Sequence, residues 1–109
     1  MVVRVLAEAR ADLREAARYY RHVPPPALGR KLAARLLEAF GDAVRSAEAF
    51  GAFRAEHPDI PLAHFVPLPG FPYLLFYTVA KDGDVFVISV EYATSDYVDR
   101  VKRRMTGVQ

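Results

Sequence analysis

The sequence predicts an α+β fold in which a helical hairpin packs against a largely antiparallel sheet. Through residues 7–47, apolar side chains recur every three or four positions, which is the helical period. Through residues 62–90, the apolar residues instead form continuous runs separated by turn sequences, as expected for buried strands. Strands that follow one another after a helical hairpin are typical of α+β proteins with helices on one face of the sheet.

The composition predicts one globular domain over residues 1–109. Hydrophobic residues make up 52% of the chain and charged residues 26%, a balance that argues against disorder. The chain has no cysteine, so disulfides and thiolate chemistry are excluded. No apolar stretch approaches the roughly 20 residues that cross a bilayer, so we expect a cytoplasmic protein without membrane contact.

The N-terminal half is expected to hold one strand and two helices. Apart from Arg4, residues 2–6 are apolar and mostly β-branched, which favours a strand. The prolines at 24–26 should end the first helix, and Pro26 suits the first turn of a second. Gly41 should weaken that second helix by roughly 1 kcal/mol relative to alanine. The helical stripes are Leu13, Ala16, Ala17 and Tyr20, then Ala33, Leu36, Leu37, Phe40, Ala43, Val44 and Ala47.

The C-terminal half predicts a three-stranded meander and a short helix. We expect a loop over residues 50–61 and strands over 62–68, 73–79 and 85–90, with the first strand interrupted by a proline. Ser95 or Asp96 could cap a helix that extends through Met105.

The formal charge is unevenly distributed along the chain. Residues 1–54 carry ten Lys/Arg against six Asp/Glu, whereas residues 55–99 carry one Lys against seven acidic residues. The last ten residues add four basic groups and no acid. A nucleic-acid surface needs concentrated positive charge, so only the N-terminal helices and the tail qualify, and direct nucleic-acid binding by the sheet is not expected.

Three segments carry a family resemblance. Residues 5–13 with the Tyr19-Tyr20 pair, residues 71–79 (Phe-Pro-Tyr-Leu-Leu-Phe-Tyr-Thr-Val) and residues 85–90 occur in the order and spacing of the RelE/ParE toxin superfamily. The chain resembles this superfamily over nearly its whole length. The resemblance implies a toxin of a type II toxin–antitoxin pair, of the plasmid-stabilisation type, that a cognate antitoxin protein neutralises.

The resemblance also separates two activities. The RelE branch cuts ribosome-bound mRNA with a cluster of basic residues and a Tyr or His on the sheet surface, whereas ParE-like members lack that cluster and are associated with inhibition of DNA gyrase. In the superfamily, the last strand usually continues into an R-x-x-H-x-x-R-D pattern. Here residues 89–96 read Ser-Val-Glu-Tyr-Ala-Thr-Ser-Asp. Ser89 takes the first basic position, Tyr92 lies near the position of the histidine, and only Asp96 matches.

Three residues are candidates for a catalytic role, namely Arg54, His64 and Tyr92. Arg54 aligns loosely with an arginine of the family, and a strand histidine such as His64 could act as a base. The competing structural roles are a hydrogen-bonded strand residue for His64 and core packing for Tyr92 together with Tyr73 and Tyr77. Because the β-rich half is anionic, mRNA cleavage is disfavoured. His22 and His57 are expected to be solvated, and no metal or cofactor is expected.

The densest cationic feature is the tail. Arg100, Lys102, Arg103 and Arg104 could contact an acidic or DNA-bound target, while Val98, Val101 and Met105 dock on the sheet. The alternative is a solvated helix end that the helix dipole favours. The leading hypothesis is a ParE-like toxin that binds a protein target such as DNA gyrase, is silenced by an antitoxin, and lacks enzyme activity. The alternatives are a RelE-like ribonuclease and a non-toxic binding relative.

Overall fold

The computed structural model describes residues 2–108 and has the predicted α+β architecture. A 3-10 turn over Gly51–Phe53 follows the second helix. Within the described part of the chain, no helix is both long and apolar enough to span a membrane. The elements in chain order are β1 (Val3–Val5), α1 (Ala7–Arg21), α2 (Pro26–Phe50), β2 (Glu56–His57), β3 (Ile60–Pro67), β4 (Tyr73–Val79), β5 (Val85–Tyr92) and α3 (Val98–Thr106).

The five strands form one mixed sheet in the order β1-β5-β4-β3-β2. The meander β3-β4-β5 is antiparallel, as expected, and β1 joins β5 in parallel. Because β1 is only three residues long, its register with β5 covers only Val85 to Val87. Beyond Val87, β4 still pairs with one edge of β5, but on the β1 side the Val90 N–H is bound by Asp12 of α1 rather than by a strand. This edge forms the site described below.

The helical hairpin covers one face of the sheet. Pro26 occupies the first turn of α2, where its missing N–H costs little. A Cβ atom on Gly29 would lie 2.3 Å from the carbonyl oxygen of Arg21, so only glycine allows the close approach of α2 to the end of α1. The core of this face includes Ala9, Ala16, Ala17, Leu36, Ala43, Leu75, Tyr77, Val85 and Val87.

A β-bulge in β5 changes which side chains face the opposite side. Phe76 pairs with Ser89 and Tyr77 pairs with Val87, so Ile88 is an extra residue. The bulge shifts the alternation, and Ser89 therefore lies on the same side as its partner Phe76 rather than under the hairpin. That side holds a second core made of Ile60, Ala63, Phe76, Ile88, Val101 and Met105.

The helix α3 lies against this second core, on the face opposite the hairpin. The prediction that helices share one face therefore holds for α1 and α2 but not for α3. Val101 and Met105 are buried, as their spacing predicted. The predicted caps were wrong, because the helix begins at Val98 after Tyr97 without a side-chain cap, and the Ser95 hydroxyl donates to the carbonyl of Tyr92 instead.

The segment predicted as a loop over residues 50–61 is more structured than expected. It contains the 3-10 turn, the short strand β2 and the start of β3. The Leu62 N–H donates to the Glu56 carboxylate at 2.7 Å, which helps to hold β2 beside β3. Two-residue strands and turns fixed by side-chain hydrogen bonds have too little periodicity to be predicted from a pattern. The strand β5 also extends two residues beyond the predicted end, to Tyr92.

Candidate functional site

Four charged side chains form a network where α1, β5 and α3 meet. The Arg104 guanidinium donates to both carboxylate oxygens of Asp12, at 2.6 and 3.2 Å, and to the Ser89 hydroxyl at 2.7 Å. The Arg100 Nε lies 3.1 and 3.2 Å from the two carboxylate oxygens of Glu91. Ser89 also hydrogen-bonds to Glu91, which joins the two ion pairs into one network.

The network is electrically balanced, and its charged side chains are largely removed from solvent except for Arg100, which is 38% exposed. The side chains of Asp12 and Arg104 are only 18% and 16% exposed, and that of Glu91 is 5% exposed. Two carboxylates therefore neutralise two guanidiniums in a region where unpaired charge would be costly. Hydrogen bonding to Glu91 is the main cause that raises the pKa of Arg100 above its ordinary value.

Asp12 also satisfies the backbone of β5. Its carboxylate accepts the N–H of Val90 at 3.0 Å, at the point where β1 no longer pairs with β5. A buried N–H without a partner would cost about 1–3 kcal/mol. One carboxylate therefore joins α1 to the strand edge and to the C-terminal helix.

The four basic tail residues consequently fall into two pairs. Arg100 and Arg104 were expected to face outward, but they turn toward Glu91 and Asp12 because the bulge brings Ser89 and Glu91 to the α3 side. Lys102 and Arg103 are exposed on the outer face of α3. Only this second pair has the position that a target contact requires.

Two of the catalytic candidates, Arg54 and His64, lie together in a packed cluster. The His64 ring, which is 6% exposed, donates through Nδ1 to the Arg54 carbonyl at 2.6 Å and stacks on Tyr77. The Arg54 guanidinium donates to the Ser46 hydroxyl at 2.7 Å and lies 5.0 Å from the centre of the Phe50 ring. These contacts match the predicted structural role of a hydrogen-bonded strand histidine.

Tyr77 completes this cluster from below the hairpin. Its side chain is fully buried, and its hydroxyl donates to the Gly51 carbonyl at 2.7 Å. Burial raises the pKa of Tyr77 above 10.0, against a smaller lowering effect of the neighbouring Arg54. The expected packing role of this tyrosine is confirmed.

The third candidate, Tyr92, is separate from that cluster and 47% exposed. The prediction that it packs in the core was wrong, because it lies at the end of β5 with its ring edge-to-face on Tyr73, at 5.5 Å between centroids. It borders a shallow groove whose lining also includes Tyr19, which is 67% exposed. The other residues of this aromatic groove are Tyr20, Val23, Leu32, Pro72 and Tyr73.

The histidines outside this region differ from one another. His22 is exposed, as expected, and donates through Nδ1 to the Arg18 carbonyl. His57 was expected to be solvated, but its Nε2 lies 3.0 Å from the Tyr97 hydroxyl and its ring packs against Phe65 and Phe76. His57, which precedes a proline in the sequence, therefore packs against the second core.

Sequence reasoning missed three members of the charged network. Asp12 lies in a family motif, but the motif assigns it no role. Ser89 was interpreted only as the replacement of a basic residue, and the last strand was predicted to end before Glu91. A signal was nevertheless present, because Glu91 follows an apolar run and precedes two arginines spaced four apart, at 100 and 104. Such spacing puts both guanidiniums on one helix face.

A family model described as the ParE toxin of the type II toxin–antitoxin system parDE matches residues 3–97. No curated protein sequence matches the chain. Among solved structures, a chain of the chromosomal ParDE toxin–antitoxin system from P. aeruginosa is similar in fold, with a TM-score of 0.63 and 17% sequence identity over 84% of this chain and 95% of that chain. With a family match that spans most of its length, the chain belongs to the ParE toxin family of type II toxin–antitoxin systems.

Proposed function

We propose that this chain is a toxin that acts in the cytoplasm by binding a protein target, DNA gyrase being the candidate, and that a cognate antitoxin neutralises it. The observation that carries this proposal is the balanced charge of the network. Arg100 contacts Glu91 of β5 and Arg104 contacts Ser89 of β5, and each guanidinium is paired with a carboxylate. Stabilisation of a phosphorane needs cations directed at the phosphate, and paired guanidiniums are poorly suited to that task.

The histidine geometry supports the same proposal. A general base must reach the proton that it removes, at about 2.6–3.2 Å. His64 is buried and uses Nδ1 to bind a backbone carbonyl, and Arg54 is held by Ser46. Neither residue is placed on an open strand surface where a messenger RNA would lie.

Exposed cations and exposed aromatic rings support a contact surface for a protein. Lys102 and Arg103 are exposed on α3, and the aromatic groove with Tyr19 and Tyr92 lies between the helical hairpin and the adjoining ends of β4 and β5. Exposed tyrosines and arginines are the residue types that dominate protein interfaces. We propose that the target is held through the two tail cations.

The antitoxin is proposed on separate grounds. The structural neighbour from P. aeruginosa is part of a ParDE toxin–antitoxin system, and the family is defined by such pairs. Antitoxin segments that fold on binding need an apolar groove that is open in the free toxin. The aromatic groove, with its partly exposed rings, offers such a surface.

Growth after induction tests the proposed function. We expect loss of viable cells when the chain is expressed alone and recovery when the adjacent antitoxin gene is co-expressed. The variant Lys102→Gln/Arg103→Gln should be less toxic, whereas Arg4→Gln/Lys81→Gln, which removes the same charge from other exposed positions, should remain toxic. Harmless expression of the intact chain at high level would contradict the proposal and favour the non-toxic binding relative.

A further inference from the structure

The helix α1 carries a segregated row of arginines that neither the charged network nor the proposed target contact uses. Arg10, Arg14, Arg18 and Arg21 are all exposed, and we call them the arginine face. At about 100° per residue, their directions fall within a sector of roughly 80° around the helix axis. The acidic residues of α1 are centred roughly 130° away. Among them, Asp12 contacts β5 and α3, whereas Glu8 and Glu15 are exposed.

The arginine face lacks the charge pairing that neutralises Arg100 and Arg104 of the tail. The ion pairs found within residues 2–108 include none of its four guanidiniums. Arg10 makes one hydrogen bond, to the Val5 carbonyl at 3.3 Å. At the start of α2, the exposed Arg30 and Lys31 add further positive charge to the hairpin.

We propose that the arginine face binds the phosphate backbone of double-stranded DNA without sequence preference. The face extends over eleven residue steps, about 16 Å at 1.5 Å per residue. Phosphates follow one strand of B-DNA at about 3.4 Å of axial rise, so the face covers about five of them. All four groups are arginines, whose planar guanidinium suits phosphate oxygens.

The surroundings of the face favour DNA over an acidic protein. The exposed residues beside these arginines are small: Ala7 lies within the sector and Ala11 about 20° beyond it. Protein interfaces are centred on buried aromatic or aliphatic anchors, which this sector lacks among the described residues. Contacts to a phosphate backbone need only charge and hydrogen-bond donors.

The exposed helix also favours DNA over duplex RNA. The major groove of B-DNA is about 12 Å wide and its rims accept a helix of about 10–12 Å diameter. The major groove of A-form RNA is deep and too narrow to accept an α-helix. A helix that presents arginines along its length therefore meets more phosphates on DNA.

Fluorescence anisotropy with a short labelled DNA duplex tests the proposal. At about 50 mM salt, Arg14→Gln/Arg18→Gln should weaken binding about 100-fold, and the slope of log K against log salt should become shallower by about 2. Glutamine has nearly the same helix propensity as arginine, so the fold should persist, which circular dichroism checks. The control Arg4→Gln/Lys81→Gln removes the same charge elsewhere and should retain most of the affinity.

The proposal is overturned if the intact chain does not bind the duplex, or if the control loses as much affinity as the arginine-face variant. Equal affinity for an RNA duplex of the same length would overturn the choice of DNA. Displacement by polyglutamate at matched charge would point to an acidic protein instead. The measurement needs no cellular target, so its result is separate from whether the chain is toxic.

Discussion

Asp12 connects three parts of the chain through one carboxylate. It accepts hydrogen bonds from Arg104 of α3 and from the backbone of Val90 in β5, while its own helix packs on the other face of the sheet. Its side chain is mostly buried, so solvent screens the Arg104 pair less than it screens a surface pair. At the residue scale, this carboxylate and that of Glu91 are the two polar anchors of α3.

Removal of either partner should therefore destabilise the fold. We expect Asp12→Asn and Arg104→Gln each to lower the free energy of unfolding by about 2 kcal/mol, because each leaves a largely buried charge without its partner. Urea denaturation of the single and double variants gives the coupling energy, which should exceed about 1 kcal/mol.

The exposed pair Asp42–Arg45 on α2 is the matched control. Its side chains are 55% and 70% exposed, and such pairs contribute about 0.5 kcal/mol or less. Equal coupling energies for the two pairs would contradict the anchoring role of Asp12.

Tyr77 should make stability sensitive to alkaline pH. Its pKa is raised in the folded state, so the unfolded chain releases this proton first as the pH rises past about 10. The folded state therefore loses stability above that pH. Tyr77→Phe should cost about 1 kcal/mol at neutral pH through the lost bond to Gly51, and this deficit should shrink above pH 10. A deficit that stays constant from pH 8 to 11 in denaturant titrations would argue against the raised pKa.

Residue roles were predictable where they depend on local pattern. The burial of Val101 and Met105 and the packing of Tyr77 follow from spacing and residue type. The pairing of Arg104 with Asp12 does not, because 92 positions separate them and a charge count along the chain cannot show which charges meet. The exposure of Tyr92 also depends on where the sheet ends.

At the scale of elements, two glycines of α2 have opposite roles. A Cβ at Gly29 would collide with the Arg21 and Val23 carbonyl oxygens, at 2.3 and 2.7 Å, whereas at Gly41 its nearest contact is the flexible Arg45 side chain at 3.6 Å. Gly29 is required for the close approach of the helices, and Gly41 only lowers helix propensity.

The two alanine substitutions should consequently have opposite signs. Gly41→Ala should stabilise the chain by about 1 kcal/mol, in line with helix propensity. Gly29→Ala should destabilise it by about 3 kcal/mol, since backbone atoms must move apart. Thermal denaturation of both variants measures the difference, and a stabilising Gly29→Ala would show that the hairpin packs differently.

Element type was more predictable than element position in space. The helical periods and the apolar strands gave the order of all the long elements correctly. The bulge at Ile88 could not be predicted, because in a continuous apolar run either set of alternate residues can face the hairpin. This bulge nevertheless determines that Ser89 and Glu91 face α3. The α3 helix packs on the second face through Val101 and Met105, against a core that combines residues of three strands.

At the scale of the whole molecule, positive charge is separated into three regions with different roles. The cations beside the sheet are neutralised, those on the outer face of α3 are exposed, and α1 carries the arginine face. The distribution of charge along the sequence predicted that the sheet would not bind a nucleic acid directly. It did not predict that half of the tail charge would be internally paired.

Supercoiling of relaxed plasmid by purified DNA gyrase, at increasing concentrations of the chain, tests the proposed mode of action most directly. Inhibition should be weaker for Lys102→Gln/Arg103→Gln, unchanged for Arg4→Gln/Lys81→Gln, and relieved by the antitoxin. Two results together would contradict this mode of action. Gyrase would remain active in the presence of the chain, and the chain would cut messenger RNA on translating ribosomes, with less cutting by Arg54→Ala or His64→Ala.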